Sequence, residues 1–431
     1  MRAKDDINAL LKEALSEVSA PQAQIEFTCR KGFATRFGEN AITQNMGGEE
    51  EHLRVAVAYG KKQGSSITNK VDKNAIANII KRAEEIARNS PEDPEYMPPP
   101  MPQTYPEVPQ RYYEDTAQLS PAEAADDIHR AIETARAENY RASGLFEVNC
   151  GINAVANSEG LSAFDNFSGV DFSTTIHGPM GSGFSGRNEE SIGHVNTETV
   201  TREALETAKA AQNPETIEPG DYTVIFEPQA VEDFLGFLFW NMSARDADEG
   251  TTLFAGKIGR KLFSDKVNIS TRIDDPELPA PPFGLDGLPA RPEVWVRNGV
   301  VERLRHERFW AAQKGTDPDP LLYPLFMEGQ DQRVSDLIAQ CKRGLLAKRL
   351  WYIRYVDKKE LLLTGMTRDG LFLIEDGKVV APVKNLRFNE SPVVFLQNVV
   401  ATSRPQRIGE SAKVPGIMSE NFSFSSRTES I

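Results

Sequence analysis

The sequence predicts an α+β protein: a duplicated helix–antiparallel-sheet N-terminal region, then a strand-rich, barrel-like C-terminal domain. Three observations predict it. The order helix, hairpin, Gly-turned hairpin, helix occurs twice before residue 212. A proline-rich run, "PEDPEYMPPPMPQTYPEVPQ" (91–110), stands between the two copies. The last part of the chain is a succession of alternating apolar segments joined by turn residues. The expected units are 1–90, a linker over 91–112, a repeat-like unit over 113–212, and a C-terminal domain over 219–431.

Each element has its own signal. Residues 4–18 place Ile7, Leu10, Leu11 and Leu15 at helical spacing. "IEFTCRKGFATRFGEN" alternates and ends on the turn signal Gly38-Glu39-Asn40. "LRVAVAYGKKQGSSITN" is a second hairpin about a Gly-rich turn, and "KNAIANIIKRAEEIARN" is a helix with Ile76, Ile79, Ile80 and Ile86 on its apolar side. So much proline after residue 90 precludes helix or central strand and predicts a semi-rigid polyproline connector. The pattern then returns. "SPAEAADDIHRAIETARAE" opens on a Ser-x-x-Glu capping box. "SGLFEVNCGINAVANSEGLSAFD" is a hairpin turning at "NSEG", "DFSTTIHGPMGSGFSGRN" a Gly-turned strand pair, and "NTETVTREALETAKAA" a closing helix. Beyond "QNPETIEPGD", "YTVIFEP" reads as a strand and "QAVEDFLGFLFWNMSA" as a largely buried helix. "PEVWVRNGVVERLRHERF", "LWYIRYVDKKELLLTGMTRDGLFLIEDGKVVAPVKNLRFN" and "PVVFLQNVVATS" read as strands, with "RDG" and "EDGK" as hairpin turns.

Composition narrows the function. A chain of 431 residues exceeds one ordinary core. A formal net charge of −14 repels phosphate backbones and argues against direct nucleic-acid binding. The one dense basic run, "CKRGLLAKRLWYIR", reads as a solvated helix end. Cys29, Cys150 and Cys341 form no CxxC pair, which fits reduced thiols in a cytoplasmic protein. "MRAKDDINALLKEAL" reads as a charged amphipathic helix rather than a signal peptide, and no apolar run reaches membrane-spanning length.

Motifs for metal or nucleotide chemistry are incomplete. His306-Glu307 begins a zinc-peptidase motif, but a second helical His would fall at Trp310 or Ala311. The segment also reads as strand, where adjacent side chains diverge. His52, His129, His177 and His194 fall in separate elements, which leaves a site assembled from scattered residues as the alternative. "GSGFSG" (181–186) matches GxGxxG but occupies a hairpin turn, with no helix after it. "DADEG" (246–250) lacks the acidic twelfth residue of a calcium loop, since Lys257 stands there. "RIDDPE", with Asp274 and Asp275, reads as a solvated turn.

"GDYTVIFEPQAVEDFLGFL", "LFAGKIGRKLFSDKVNISTRIDDP" and "FGLDGLPARPEVWVRNGVVERLRHERFWAAQKG" together resemble the TldD/PmbA family, as does "LLLTGMTRDGLFLIEDGKVVAPVKNLRFNES" above all. The resemblance, which covers nearly the whole chain, implies a cytosolic two-domain α+β molecule related to zinc metallopeptidases acting on unfolded or leader peptides. An older name for the family is modulator of DNA gyrase. It implies that a TldD-type chain carries zinc and pairs with a PmbA-type (TldE) chain that does not. TldD-type chains hold HExxxH on the helix after the "EP" strand, and a ligand Cys downstream. Here that position, Leu235 to Trp240, has no His, and no Cys follows Cys341. The resemblance therefore points to the PmbA-like branch, with no metal ligand or catalytic residue of its own and zinc in a TldD-type partner. His306 falls where the family places no ligand.

The expected partners are an HExxxH-bearing homologue in a heterodimer, or a second copy in a homodimer, together with an unfolded peptide. Strand addition to an exposed sheet edge is one way to hold such a peptide. The family block makes Thr364, Gly365, Arg368 and Gly370 a tight turn near a groove. Arg368 would there anchor a peptide carboxylate or a partner's acid, and Thr364, Gly365, Asn385 and Arg387 are the further substrate-binding candidates; the alternative is that these residues, and Phe388, only shape the fold. Two other readings stay open: a stand-alone metal-dependent peptidase with an atypical site, and a regulatory binding module of gyrase or antitoxin type.

Overall fold

The computed structural model describes residues 1–319 and 324–428. Residues 320–323 and 429–431, both inside the expected C-terminal domain, lie outside that description. The first unit runs α1 (Lys4–Ser16), β1 (Gln22–Gly38), β2 (Ala41–Tyr59), β3 (Lys62–Thr68) and α2 (Lys73–Asn89). The second runs α3 (Glu114–Gln118), α4 (Pro121–Ala137), β4 (Arg141–Asn157), β5 (Ser162–Phe167), β6 (Val170–His177), β7 (Ser182–Glu189) and α5 (Thr197–Ala210).

Local chemistry sets these boundaries. Glu39 and Asn40 both take left-handed φ, at 50° and 60°, as a two-residue hairpin turn requires. Ser120 accepts from the backbone of Glu123 while the Glu123 side chain answers back, completing the expected capping box. Asp72 caps α2, whose buried side is Ile76, Ile79, Ile80, Ala83 and Ala87. Ile86, expected on that side, is exposed.

The two units share one sheet of order β3-β2-β1-β4-β6-β7, with β5 on β4. The seam is the antiparallel pairing of β1 with β4 from Gln24↔Asn157 to Phe37↔Gly144. Strand periodicity then assigns the faces. Ile25, Phe27, Cys29, Phe33 and Phe37 of β1 are all buried under helices, as are Phe146, Val148, Cys150, Ile152 and Ala154 of β4. All lie on one face, so α1, α2, α4 and α5 cover the same side. Val155 faces the other way and packs with Phe283 of the C-terminal domain.

The C-terminal domain comprises β8 (Gly220–Phe226), α6 (Pro228–Phe239), α7 (Ala244–Asp248), β9 (Ile269–Thr271), β10 (Glu293–Arg297), β11 (Val300–Val301) and α8 (Arg308–Lys314). It continues with β12 (Leu325–Met327), α9 (Val334–Gln340), β13 (Arg343–Asp357), β14 (Leu362–Glu375), β15 (Lys378–Pro382) and β16 (Leu386–Glu390). It ends with α10 (Pro392–Gln397), β17 (Val399–Ile408) and β18 (Ala412–Arg427). Strands β8, β13, β14, β16 and β18 pair in turn, and β18 returns to β8, so the expected barrel-like domain is a ring-like sheet. The apolar side of α6 packs against it. Phe234 meets Phe388 edge-on at 5.6 Å, Phe395 at 5.7 Å and Phe422 at 5.9 Å.

Several local expectations give way to this sheet. The basic run is not a helix end: it forms the start of β13, because pairing with β8 and β14 outweighs the helical propensity of Leu, Lys and Arg. "RDG" is not a hairpin turn but a bulge inside β14. Asp369 (φ 54°) and Gly370 (φ 122°) insert an extra residue opposite Lys348, and the strand resumes pairing at Leu371. "PVVFLQ" is helix α10, because Ser391 caps it and Pro392 fits its first turn. Asp275 is no solvated turn residue; its half-buried carboxylate pairs with Lys413 Nζ at 2.8 Å. The proline-rich segment is irregular, as expected, but it is no free spacer. Pro100 accepts from Asn157 Nδ2 (2.8 Å), Tyr105 donates to Gly287 O (3.0 Å), and Glu95 clamps Arg245.

Candidate functional site

The helix that would carry metal ligands comes first. On α6, Phe234, Leu235, Leu238 and Phe239 are buried in the ring. The opposite side turns toward β13. There Phe237 touches Trp240 (5.2 Å) and Tyr355 (5.2 Å), and Asn241 Nδ2 donates to the Tyr355 hydroxyl at 3.1 Å. These aromatic rings, an amide and a phenol do not fit a zinc ion, which takes imidazole, thiolate or carboxylate.

Two acids sit higher on the helix. Asp233 accepts from Leu350 N–H (2.9 Å) and Gln229 Nε2 (3.0 Å), and burial pushes its carboxyl up to about 6. Glu232 has no hydrogen-bond or ion-pair partner among the described residues; burial, and then Asp233, push its carboxyl up to about 7.

Other candidate ligands are spoken for. His306 lies in a loop, not in a strand as its pattern suggests: β11 ends at Val301, and Glu307 is the N-cap of α8. The backbone N–H of His306 donates to buried Asp319 at 2.8 Å and its imidazole Nδ1 lies 3.5 Å from the same carboxylate, which also holds Arg303 (2.9 Å) and Arg291 (3.2 Å). Asp248, of the calcium-like stretch, takes Lys314 and the Trp310 indole. One described cluster, Cys29 with Glu49 and Glu51, brings three ligand-type atoms together. Burial and Glu49 push the Cys29 thiol up to about 11, which disfavours a thiolate, and Arg2 occupies Glu51 at 2.7 Å. "GSGFSG" runs from a hairpin turn into β7, where no helix N-terminus meets it.

The strongest concentration of unusual side chains is on the outer face of the ring, where β13, β14 and β16 lie side by side. Register fixes which residues share that face: Arg349 opposes Arg368, Trp351 opposes Met366, and Arg354 opposes Thr364. Across the other edge of β14, Met366 opposes Arg387 and Thr364 opposes Asn389. Arg349 stacks on Phe184 (3.8 Å) and Trp351 (4.8 Å), Arg368 on Trp351 (5.0 Å), and Arg354 on Tyr352 (4.5 Å). At one end, fully buried Asp369 accepts from Ser182 Oγ (2.7 Å) and pairs with Arg349 (3.1 Å) and Arg368 (3.8 Å). A cavity of about 310 Å³ opens beside it, lined by Gly181, Ser182, Gly370, Leu371, Lys384 and Asn385 among others.

Comparison with known proteins matches this architecture. A family model for the PmbA/TldA metallopeptidase C-terminal domain covers residues 219–426. Residues 219–426 are thus a C-terminal domain of the TldD/PmbA family. A metalloprotease of Methanothermobacter thermautotrophicus is 25% identical over 265 residues; the match covers 56% of this chain and 54% of that protein, about half its length. The solved structure of TldE from Thermococcus kodakarensis superposes with a TM-score of 0.88 at 19% identity, over 97% of this chain and 99% of that one. A Thermotoga maritima protein described as a candidate modulator of a DNA gyrase gives 0.86 at 18% identity, over 98% and 99%. Likeness at these identities shows the fold.

The TldD/PmbA block thus folds as β14, β15 and β16, and the residues expected at a site separate by face. Thr364 and Arg368 lie on the outer face, with Arg387 one strand away. Thr364 also donates to the Phe388 carbonyl at 3.1 Å, tying β14 to β16. Gly365 and Phe388 point inward, and a side chain at 365 would meet the Phe388 ring at 2.5 Å, so this pair packs the core. Asn385 accepts from Thr367 Oγ1 (3.0 Å) at the cavity wall. The expected tight turn does not form. Arg349, Trp351 and Arg354 are not singled out by the sequence: Arg349 lies in a run that reads as a helix end, and Trp351 and Arg354 fall where that run overlaps a segment that reads as strand, so their alternation of basic and aromatic residues is not assigned to one face.

Proposed function

We propose that this chain is the non-catalytic subunit of a TldD/PmbA-type metallopeptidase that processes unfolded or leader peptides in the cytoplasm. It works beside an HExxxH-bearing homologue that supplies the zinc. The observation that carries the reading is the composition of α6. Where the family resemblance leads one to expect HExxxH, this helix offers Phe237, Trp240 and Asn241 against Tyr355. No histidine projects from it, and of its two adjacent carboxylates Asp233 is held by the Leu350 N–H and Gln229.

Co-expression with an HExxxH-bearing homologue tests the proposal. The two chains are expected to co-purify, and cleavage of an unfolded peptide is expected from the pair or from the homologue, abolished by chelator, and absent from this chain alone. Elemental analysis of this chain purified alone is expected to find no stoichiometric zinc. About one zinc per chain, or chelator-sensitive cleavage by this chain alone, would replace the proposal with a stand-alone enzyme.

A further inference from the structure

The outer face of β13, β14 and β16 carries more positive charge than the molecule neutralises. Arg349 and Arg368 share Asp369, but Arg354 and Arg387 are exposed and enter no ion pair among the described residues. Arg354 gives one N–H to the Ile353 carbonyl (2.8 Å) and rests on Tyr352, leaving most of its donors free. This is unusual in a chain of net charge −14, where many other arginines hold carboxylates. Apolar surface lies between the charges: Trp351 is 41% exposed and Tyr352 59%. Acid is gathered elsewhere, as in the cleft of about 690 Å³ lined by Glu147, Asp171, Glu190 and Glu410.

We infer that this face docks an acidic, unfolded polypeptide segment, its carboxylates on Arg354, Arg387 and Arg368 and its apolar side chains on Trp351 and Tyr352. The inference refines the proposed function by naming the chemistry of the peptide. Guanidinium groups bind carboxylates through paired N–H donors, and stacking on the rings holds their planes in place. A second copy of the chain is a poor occupant, because a two-fold contact would set arginine against arginine. A nucleic acid is disfavoured by the repulsion of the remaining surface. Docking is on the face, not by strand addition. β8 pairs with β13 only at Leu345–Ala347; beyond it Asp233 of α6 takes the Leu350 N–H (2.9 Å), and left-handed Tyr352 (φ 56°) breaks the edge with a bulge.

Fluorescence anisotropy on the isolated chain tests this. The probe is a labelled unstructured peptide in which Glu alternates with small apolar residues; its controls are the same peptide with Gln for Glu and a single-stranded oligothymidylate. The acidic peptide is expected to bind about tenfold more tightly than the Gln peptide and to weaken with added salt. R354E/R387E is expected to abolish the difference, with its circular dichroism and melting temperature unchanged. Should that variant fail to fold, R354Q/R387Q serves and is expected to reduce the difference. Equal binding of the two peptides, or undiminished binding by a folded variant, overturns the inference. Tighter binding of the oligothymidylate, or self-association abolished by R354E/R387E with peptide affinity intact, overturns it in favour of those occupants. No second subunit is in the assay, so failure here leaves the subunit proposal standing, and failure to co-purify leaves this inference standing.

Discussion

Glu232 is an acid without a partner among the described residues, half-buried on a helix whose apolar side fills the ring. Its protonated form suits that setting. A carboxyl raised from 4.5 to about 7 stabilises the native state fully below pH 4.5, and the contribution is lost as pH rises through 7. Glu232→Gln keeps the shape and removes the titration. The variant is therefore expected to gain on the wild type by about 2 kcal/mol between pH 5 and pH 8, read from urea unfolding at both values. A gap that does not change with pH would show that Glu232 is solvated. Sequence could not reveal this: "VEDFL" contains two ordinary-looking acids, and only packing against β13 separates Asp233, which gains donors, from Glu232, which gains none. The same holds for Asp275, whose partner Lys413 is remote in sequence.

At the scale of elements, the seam between β1 and β4 makes one sheet out of two repeats. At its centre Gly32 comes so close to β4 that a side chain there would lie 1.9 Å from the Val148 carbonyl oxygen. Gly32→Ala must push the strands apart, and a loss of about 3 kcal/mol in urea unfolding is expected. Wild-type stability would mean the seam is slack. Hairpins, helices and caps of the repeats were legible because their signals are local: turn residues with positive φ, a capping box, alternation. Their union was not, since nothing in either repeat names β1 and β4 as partners. The bulge at Asp369–Gly370 misled for a related reason. Asp-Gly favours positive φ in turns and bulges alike, and the neighbouring strand decides whether the chain then reverses or resumes its pairing with β13.

In the whole molecule, the N-terminal sheet and the C-terminal domain are joined through buried polar groups. Arg407, only 8% exposed at its side chain, donates to Glu190 (2.6 and 3.0 Å), Asn188 (2.9 Å) and the Glu277 carbonyl (2.9 Å). Arg407→Ala leaves Glu190 without its main partner, at a cost of about 3 kcal/mol. Calorimetry of the variant is expected to resolve two transitions where the intact protein gives one. One unshifted transition would mean that the Ser182–Asp369 contact and the proline-rich strap suffice to couple the domains.

By itself the sequence determined the class of the fold, the doubling of the N-terminal unit, the family of the C-terminal domain, and the lack of histidine on α6. Those properties rest on residue identity and on contacts between near neighbours, which periodicity and turn chemistry record directly. Only the tertiary structure decided which strands adjoin, which arginines share a face, and which charges stay unpaired. Pairing in a sheet brings together residues dozens of positions apart, and a side chain's electrostatic fate depends on the strand beside it.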